Sequence, residues 1–360
     1  MKRIIFKEED LSQLPLPEAG YKTIGMSTAG LSVLSSDGGV LLVSLYESGT
    51  GTSSIQPLHS GTASADCSVI AGGFGNIITE TSSFSSISGG QCNTVSNTYI
   101  GVISGGDCNT LIGGAFMSIN GGRRNTNSGV YSTIGGGSSN MITSNYNTIS
   151  GGRINTSSSY ASTVGGGVGN ISDGSMGVIS GGMNNTILND SVSNTISGGK
   201  NNTSSGAYVV VGGGFHNKIT GGFSNNFGTI SGGYCNTITG TSSFSSISGG
   251  RCNTIEESPI STISGGQYNF ITGTSSFSGI VSGNCNVISG SSSFSGIMGG
   301  NANTINDNGC SFIVGSNIVA DRSCTTFVNN LSIVSIPGTA SGLPLGSVWH
   351  DNGVLRIVIP

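Results

Sequence analysis

Through the middle of the chain a β-branched apolar residue returns every 15 to 19 positions, always six residues before an Asn that closes the motif Gly-Gly-x-x-Asn. The motif occurs fifteen times, its Asn standing at Asn76, Asn93 and Asn109, on through Asn253, and finally at Asn303. The residue six before is Ile or Val in all fifteen, including Ile87, Ile103 and Ile247. Two positions after the Asn the chain is apolar in eleven of fifteen, with Asn127, Ser157, Ser172 and Ser204 as exceptions, so the central repeats are thinner in apolar content. Fourteen repeats keep both glycines, and the remaining one reads Ser282-Gly283-Asn284-Cys285-Asn286. A further match, Gly221-Gly222-Phe223-Ser224-Asn225, is off register and is assigned to a longer turn inside the 19-residue interval.

A fixed period of this length, with two short apolar segments per unit, predicts two short strands and two turns per repeat. Helix is excluded by the glycine density and the β-branched bias. The prediction is an all-β, parallel β-roll or β-solenoid of fifteen coils over residues 66–317. At the inter-strand spacing it makes a rod roughly 70 Å long. Ile87, Ile103 and Ile247 are then members of one structural ladder and Asn93, Asn109 and Asn253 of another, the Asn amides bonding along the stack. One coil buries only one or two branched side chains, so association is expected, and a cyclic homotrimer is the form chosen here.

The flanks differ. Residues 1–65 lack the repeat, and Asp37-Gly38-Gly39 between apolar runs is a hairpin signal. With the charged stretch Lys2 to Asp10, this region is read as an attachment arm with a small β module. Residues 318–360 carry the single Trp349 and read as two strands around Asn352-Gly353, a C-terminal β cap.

Composition narrows the function. Glycine contributes 63 of 360 residues and charged residues only 8%, yet mean hydropathy is +0.12, which does not fit a disordered chain. A net charge of -4 without a basic stripe disfavours nucleic acid as a partner. Neither a signal-peptide core nor an apolar run of about 18 residues is present, so no membrane insertion is expected.

Candidate chemistry is sparse. Cys92, Cys108, Cys235, Cys252 and Cys285 each stand one residue before a motif Asn, and with His59, His216 and His350 far apart they do not form a metal set. They are expected to be buried free thiols acting as small apolar residues. Neighbouring coils bring Cys92 near Cys108 and Cys235 near Cys252, but parallel side-chain directions suit a disulfide poorly. Phe84, Phe244, Phe277 and Phe294 share a Ser-Ser-Phe-Ser frame and are expected in the core; a carbohydrate-binding face requires them exposed instead. Calcium-binding rolls use acidic nonapeptides that are not found here, and Gly212 to Lys218 lacks the Lys-Ser/Thr of a phosphate loop. No cofactor or metal is assigned. Of the repeat carboxylates, Asp66, Glu80, Asp107, Asp173, Asp190, Glu256, Glu257 and Asp307, only Glu256 and Glu257 adjoin, and consecutive strand residues face opposite ways. No catalytic residues are assigned and an enzyme is not expected.

The segments Ser132 to Asn140 and Ser162 to Asn170, reading Ser-Thr-Ile/Val-Gly-Gly-Gly-x-x-Asn, resemble the head repeats of trimeric autotransporter adhesins. The resemblance covers about residues 66–317 and implies a left-handed parallel roll, three chains per head and an adhesive surface. Pro17 to Gly25 and Gly342 to Trp349 are similar to terminal segments of tailed-bacteriophage structural and fibre proteins. Together these imply a virion fibre or spike, on the head or the tail, whose partners are its own copies, capsid or tail proteins, and host-surface carbohydrate. The alternatives are a bacterial cell-surface adhesin and a polysaccharide-degrading tail spike.

Overall fold

The computed structural model describes residues 23–27, 30–34, 40–42, 46–57, 61–221, 226–332, 336–351 and 353–359. The arm Lys2 to Asp10, most of Pro17 to Gly25, the turn Asp37-Gly38-Gly39 and most of the off-register motif at 221–225 lie outside them.

The chain winds as a parallel β-solenoid of about 17 turns, with no helix among the described residues. Each turn contributes one strand of two to five residues to each of two stacked sheets. The first sheet holds sixteen parallel strands, from Gly61–Ala63 to Thr304–Asn306. The second runs from Ile55–Pro57 to Thr326–Val328, with Tyr46–Ser48 antiparallel at its start. Register never slips along the stack: Ile87 lies over Ile103, Ile103 over Ile119, and Ile247 over Ile263.

A two-residue strand can present one residue inward and one outward, and the sequence supplies that alternation. The Ile/Val six before each Asn is buried, as is the residue two after it, while their strand neighbours, Gly296 excepted, are half-buried or exposed. Where the second inward column loses its apolar member, at Asn127, Ser157, Ser172 and Ser204, the polar side chain still points in. The apolar core consequently divides into two clusters, one ending at Val164 and the other beginning at Ile179. In this polar waist Ser172 Oγ is buried without a hydrogen-bond partner, as are Asn194 Nδ2 and Ser204 Oγ in the coils just beyond it.

The asparagine column is continuous. Every backbone N–H from Asn93 to Asn303 in the column donates to the side-chain Oδ1 of the preceding motif Asn, as in Asn109 N–H to Asn93 Oδ1 at 3.0 Å and Asn253 N–H to Asn236 Oδ1 at 3.1 Å. Each Nδ2 spans two coils: Asn109 Nδ2 donates to Gly105 O at 3.1 Å and to Gly122 O of the next coil at 2.9 Å. The ladder is thus mainly side chain to backbone. This explains the invariance of the Asn, since only an amide supplies an acceptor and two donors in that space. The second glycine of the motif is equally constrained. Gly152 has φ +84°, and an added Cβ would strike the carbonyl oxygen of Gly167 one coil on, whereas Gly151 beside it has open space.

One correction concerns extent. The sequence count of fifteen coils is too low, because the stack continues where the marker Asn is replaced. Gly61 occupies its place below Asn76, and Ile318 donates its N–H to Asn303 Oδ1 at 3.1 Å. The 19-residue interval is one coil, since Asn236 N–H reaches Asn217 Oδ1 directly at 3.0 Å. Outside the solenoid, Thr23–Ser27, Gly30–Leu34 and Val40–Leu42 form an antiparallel sheet, and Val348–Asp351 pairs antiparallel with Val354–Ile357.

Candidate functional site

The flattened coil has two edges, each holding a non-glycine residue in the left-handed region. On the asparagine edge that residue immediately precedes the motif Asn: Cys92, Cys108, Arg124, His216, Cys235 and Cys252 all have φ between 52° and 56°. On the opposite edge it stands three before the inward Ile: Phe84, Tyr131, Tyr146, Tyr208, Phe244 and Phe294 have φ between 56° and 61°. The left-handed corner costs a non-glycine residue about 1–2 kcal/mol. The stack holds it by a cross-coil bond, as in Phe84 N–H to Asp66 O at 3.0 Å and Cys92 N–H to Phe74 O at 2.9 Å.

This geometry overturns two expectations. Cys92, Cys108 and Cys285 are exposed and Cys235 and Cys252 half-buried, all with free thiols, rather than core residues. The cause is alternation: the motif Asn faces inward, so its predecessor faces out. Phe84, Phe244, Phe277 and Phe294 are likewise on the surface, between 51% and 61% exposed, because Ser85, Ser245, Ser278 and Ser295 after them take the inward place.

The exposed rings form ladders. Phe84, Tyr99, Phe116, Tyr131, Tyr146 and Tyr160 follow one another at centroid separations of 5.6, 6.1, 4.9, 5.3 and 5.3 Å. Tyr208, Phe227 and Phe244 make a second run at 5.1 and 4.8 Å, and Phe277 and Phe294 a third at 5.0 Å. Five of these eight contacts are stacked, Phe116 and Tyr131 differing by 3° and Phe277 and Phe294 by 7°, whereas Phe84–Tyr99, Tyr99–Phe116 and Tyr146–Tyr160 meet edge to face. Rings stacked this way cover one another's faces and turn their edges outward. The Ser-Ser-Phe-Ser frames reveal only part of this column; Phe116, Tyr131, Tyr146, Tyr208 and Phe227 occupy the same corner without that frame, and their common offset from the inward Ile is the signal that unites them.

Near the C-terminal end of the solenoid, Gly279 and Gly296 replace the usual outward Thr or Ser, which opens a groove of about 320 Å³ walled by Phe277, Phe294, Met298 and Phe312.

Charge is divided between the edges. Within residues 66–317 every carboxylate except Asp107 lies on the aromatic edge, seven in all, six in its turns and Glu256 at the end of the strand that leads into one, and no Lys or Arg is found there. The turns of the asparagine edge carry Arg123, Arg124, Arg153, Lys200 and Arg251, and Lys218 lies on the outer face of the first sheet. Asp107 pairs with Arg123 at 3.1 Å and accepts a hydrogen bond from the Cys108 thiol at 3.2 Å. That bond pushes the Cys108 thiol above its ordinary pKa. Lys200 sits 5.7 Å from the Phe215 ring, and Arg251 sits 5.7 Å from both Tyr234 and Tyr268.

The sequence-assigned ladder residues Ile87, Ile103, Ile247, Asn93, Asn109 and Asn253 are all fully buried inside the stack. Glu256 and Glu257 are exposed, Glu257 at a left-handed corner of the aromatic edge. Among the described residues no three His, Cys, Asp or Glu side chains gather as a metal site requires. No protein-family model matches the chain, and no curated protein matches it in sequence.

Proposed function

We propose that this chain is the shaft of a structural fibre or spike carried on a tailed-bacteriophage particle, a homotrimer of left-handed solenoids with small β caps at both ends. The observation that carries the reading is the unbroken asparagine column, in which fourteen successive coils each accept the next through one buried amide. Such a stack is a stiff, one-dimensional element whose elaboration lies in repetition rather than in a pocket, which suits projection of a surface at a distance. The terminal segments similar to phage structural proteins supply the docking partner, capsid or tail, and the virion location.

Contact with host-surface carbohydrate completes the proposal. The stacked stretches of the aromatic column are a poor platform for it, since sugars stack on ring faces and these rings cover each other. Exposure alone therefore does not make the column a sugar site.

Because Tyr46–Ser48 and Ile55–Pro57 already belong to the second sheet, a deletion meant to spare the solenoid must stop before them. Removal of residues 1–45 is expected to leave soluble rods that no longer join particles when supplied to an infection lacking the full-length chain. Incorporation at the full-length level would refute the assignment of docking to the N-terminal arm.

A further inference from the structure

We infer that the aromatic edge of one copy docks against the asparagine edge of the next, so that three solenoids close as the sides of a triangular prism. The inference rests on the homotrimeric reading above and specifies its interface.

The argument begins with charge. The aromatic edge is wholly acidic and the asparagine edge carries five bases and one acid, the acid already paired with Arg123. A two-fold contact between like edges would set acid against acid or base against base, which is unfavourable. A heterologous contact sets opposite charges together and, with the right rotation, closes into a ring.

Register supplies an independent check. In a rotationally symmetric bundle equivalent coils share one height, so a base on one edge meets only acids of its own or an adjacent coil. Arg251 precedes, and Glu256 and Glu257 end and follow, the single strand Thr254–Glu256, so they share a coil. Arg153 lies one coil before Asp173, whose neighbouring strands Thr156–Ser157 and Ile171–Ser172 pair directly. Lys200 lies one coil after Asp190, with Thr186–Ile187 paired to Thr203–Ser204. One coil is a step of about 4.8 Å, within reach of a Lys or Arg side chain. Every cation of that edge outside the Arg123–Arg124 pair therefore has a carboxylate on the opposite edge within one coil of its own height.

The ring ladders give the contact its apolar component. Their outward edges make three narrow stripes along the same side as the acids, exposed in the single chain. Docking covers these stripes, while the charges fix which edge meets which and at what height.

The test uses the full-length chain, prepared as a mixture of ¹⁴N and ¹⁵N protein refolded together and treated with a carbodiimide, which joins an amine to a carboxylate only in direct contact. Lys200 and Asp190 sit on opposite edges of one solenoid, so their link arises between copies. The expected product is a mixed-isotope Lys200–Asp190 peptide from the trimer fraction. In parallel, Arg251→Glu should weaken trimer formation roughly tenfold or more. Adding Glu256→Arg and Glu257→Arg to the same chain should restore it, with circular dichroism unchanged throughout. Trimers that lack the mixed link, and that tolerate Arg251→Glu, would overturn the edge-to-edge interface while leaving the fibre standing. A monomer at micromolar concentration would overturn both.

Discussion

Substitution of Asn170 addresses the stack where it is least supported by apolar contacts, in the gap between the two core clusters at Val164 and Ile179. Its Nδ2 donates to Gly166 O at 2.8 Å and Gly182 O at 3.0 Å, and its Oδ1 accepts from Asn185 N–H at 3.0 Å. Asn170→Ala removes all three bonds and leaves the Asn185 N–H buried without an acceptor. Two lost bonds at about 1 kcal/mol each and one orphaned donor at about 1–3 kcal/mol give a cost of roughly 3–5 kcal/mol. Because each coil touches only its neighbours, the loss should appear locally as well as globally. Amide hydrogen exchange by mass spectrometry is expected to show protection falling over residues 155–185 and persisting in both flanking clusters. Asn170→Asp sharpens the test, since a carboxylate oxygen then faces the two glycine carbonyls. Its folded-state pKa is expected to rise, so the native state holds its proton longer than the unfolded chain. Stability should fall as pH rises from the ordinary carboxylate range through that raised value, and recover on acidification. Unchanged exchange in Asn170→Ala would refute the view that the amides, rather than the Ile columns, hold the waist together.

Other expectations follow from single sites. Ser172→Ala deletes a buried hydroxyl that has no partner and should stabilise the protein by about 1 kcal/mol in thermal or denaturant melts, whereas a loss of stability would mean that the hydroxyl is satisfied in solution. Gly152→Ala should cost about 3 kcal/mol or more, from the left-handed backbone and the collision with Gly167 O. Gly151→Ala beside it should cost under about 1 kcal/mol, and equal effects at the two sites would contradict the turn geometry. Asp107→Asn removes the carboxylate that holds up the Cys108 pKa, so in the unassembled chain, where the asparagine edge is open, iodoacetamide should label Cys108 faster at mildly alkaline pH; an unaltered rate there would break the proposed coupling.

The periodic β-branched residue and the motif Asn made the parallel stack legible, because identical neighbours above and below leave little else for them to do. What failed to follow was the side on which the intervening residues lie. Cys92 looks like a small core residue by chemistry, and Phe84 by size, yet each sits at a left-handed corner directly before a buried polar residue, Asn93 or Ser85. Alternation around those buried positions was present in the sequence and predicts the outward direction; hydrophobicity alone does not. The outermost coils were missed for a different reason. Gly61 and Ile318 keep the backbone pairing without the Asn side chain, so the marker ended before the stack did. The split in charge between the edges becomes visible only once the turns are assigned to opposite sides.

Mass per unit length tests the central claim most directly, because it joins the coil spacing to the number of chains. Small-angle scattering from the purified full-length protein should give a rod about 80 Å long over the solenoid, with three chains contributing to each rise of about 4.8 Å. One chain per rise, or a scattering profile without a rod-like cross-section, would contradict the account of a trimeric fibre.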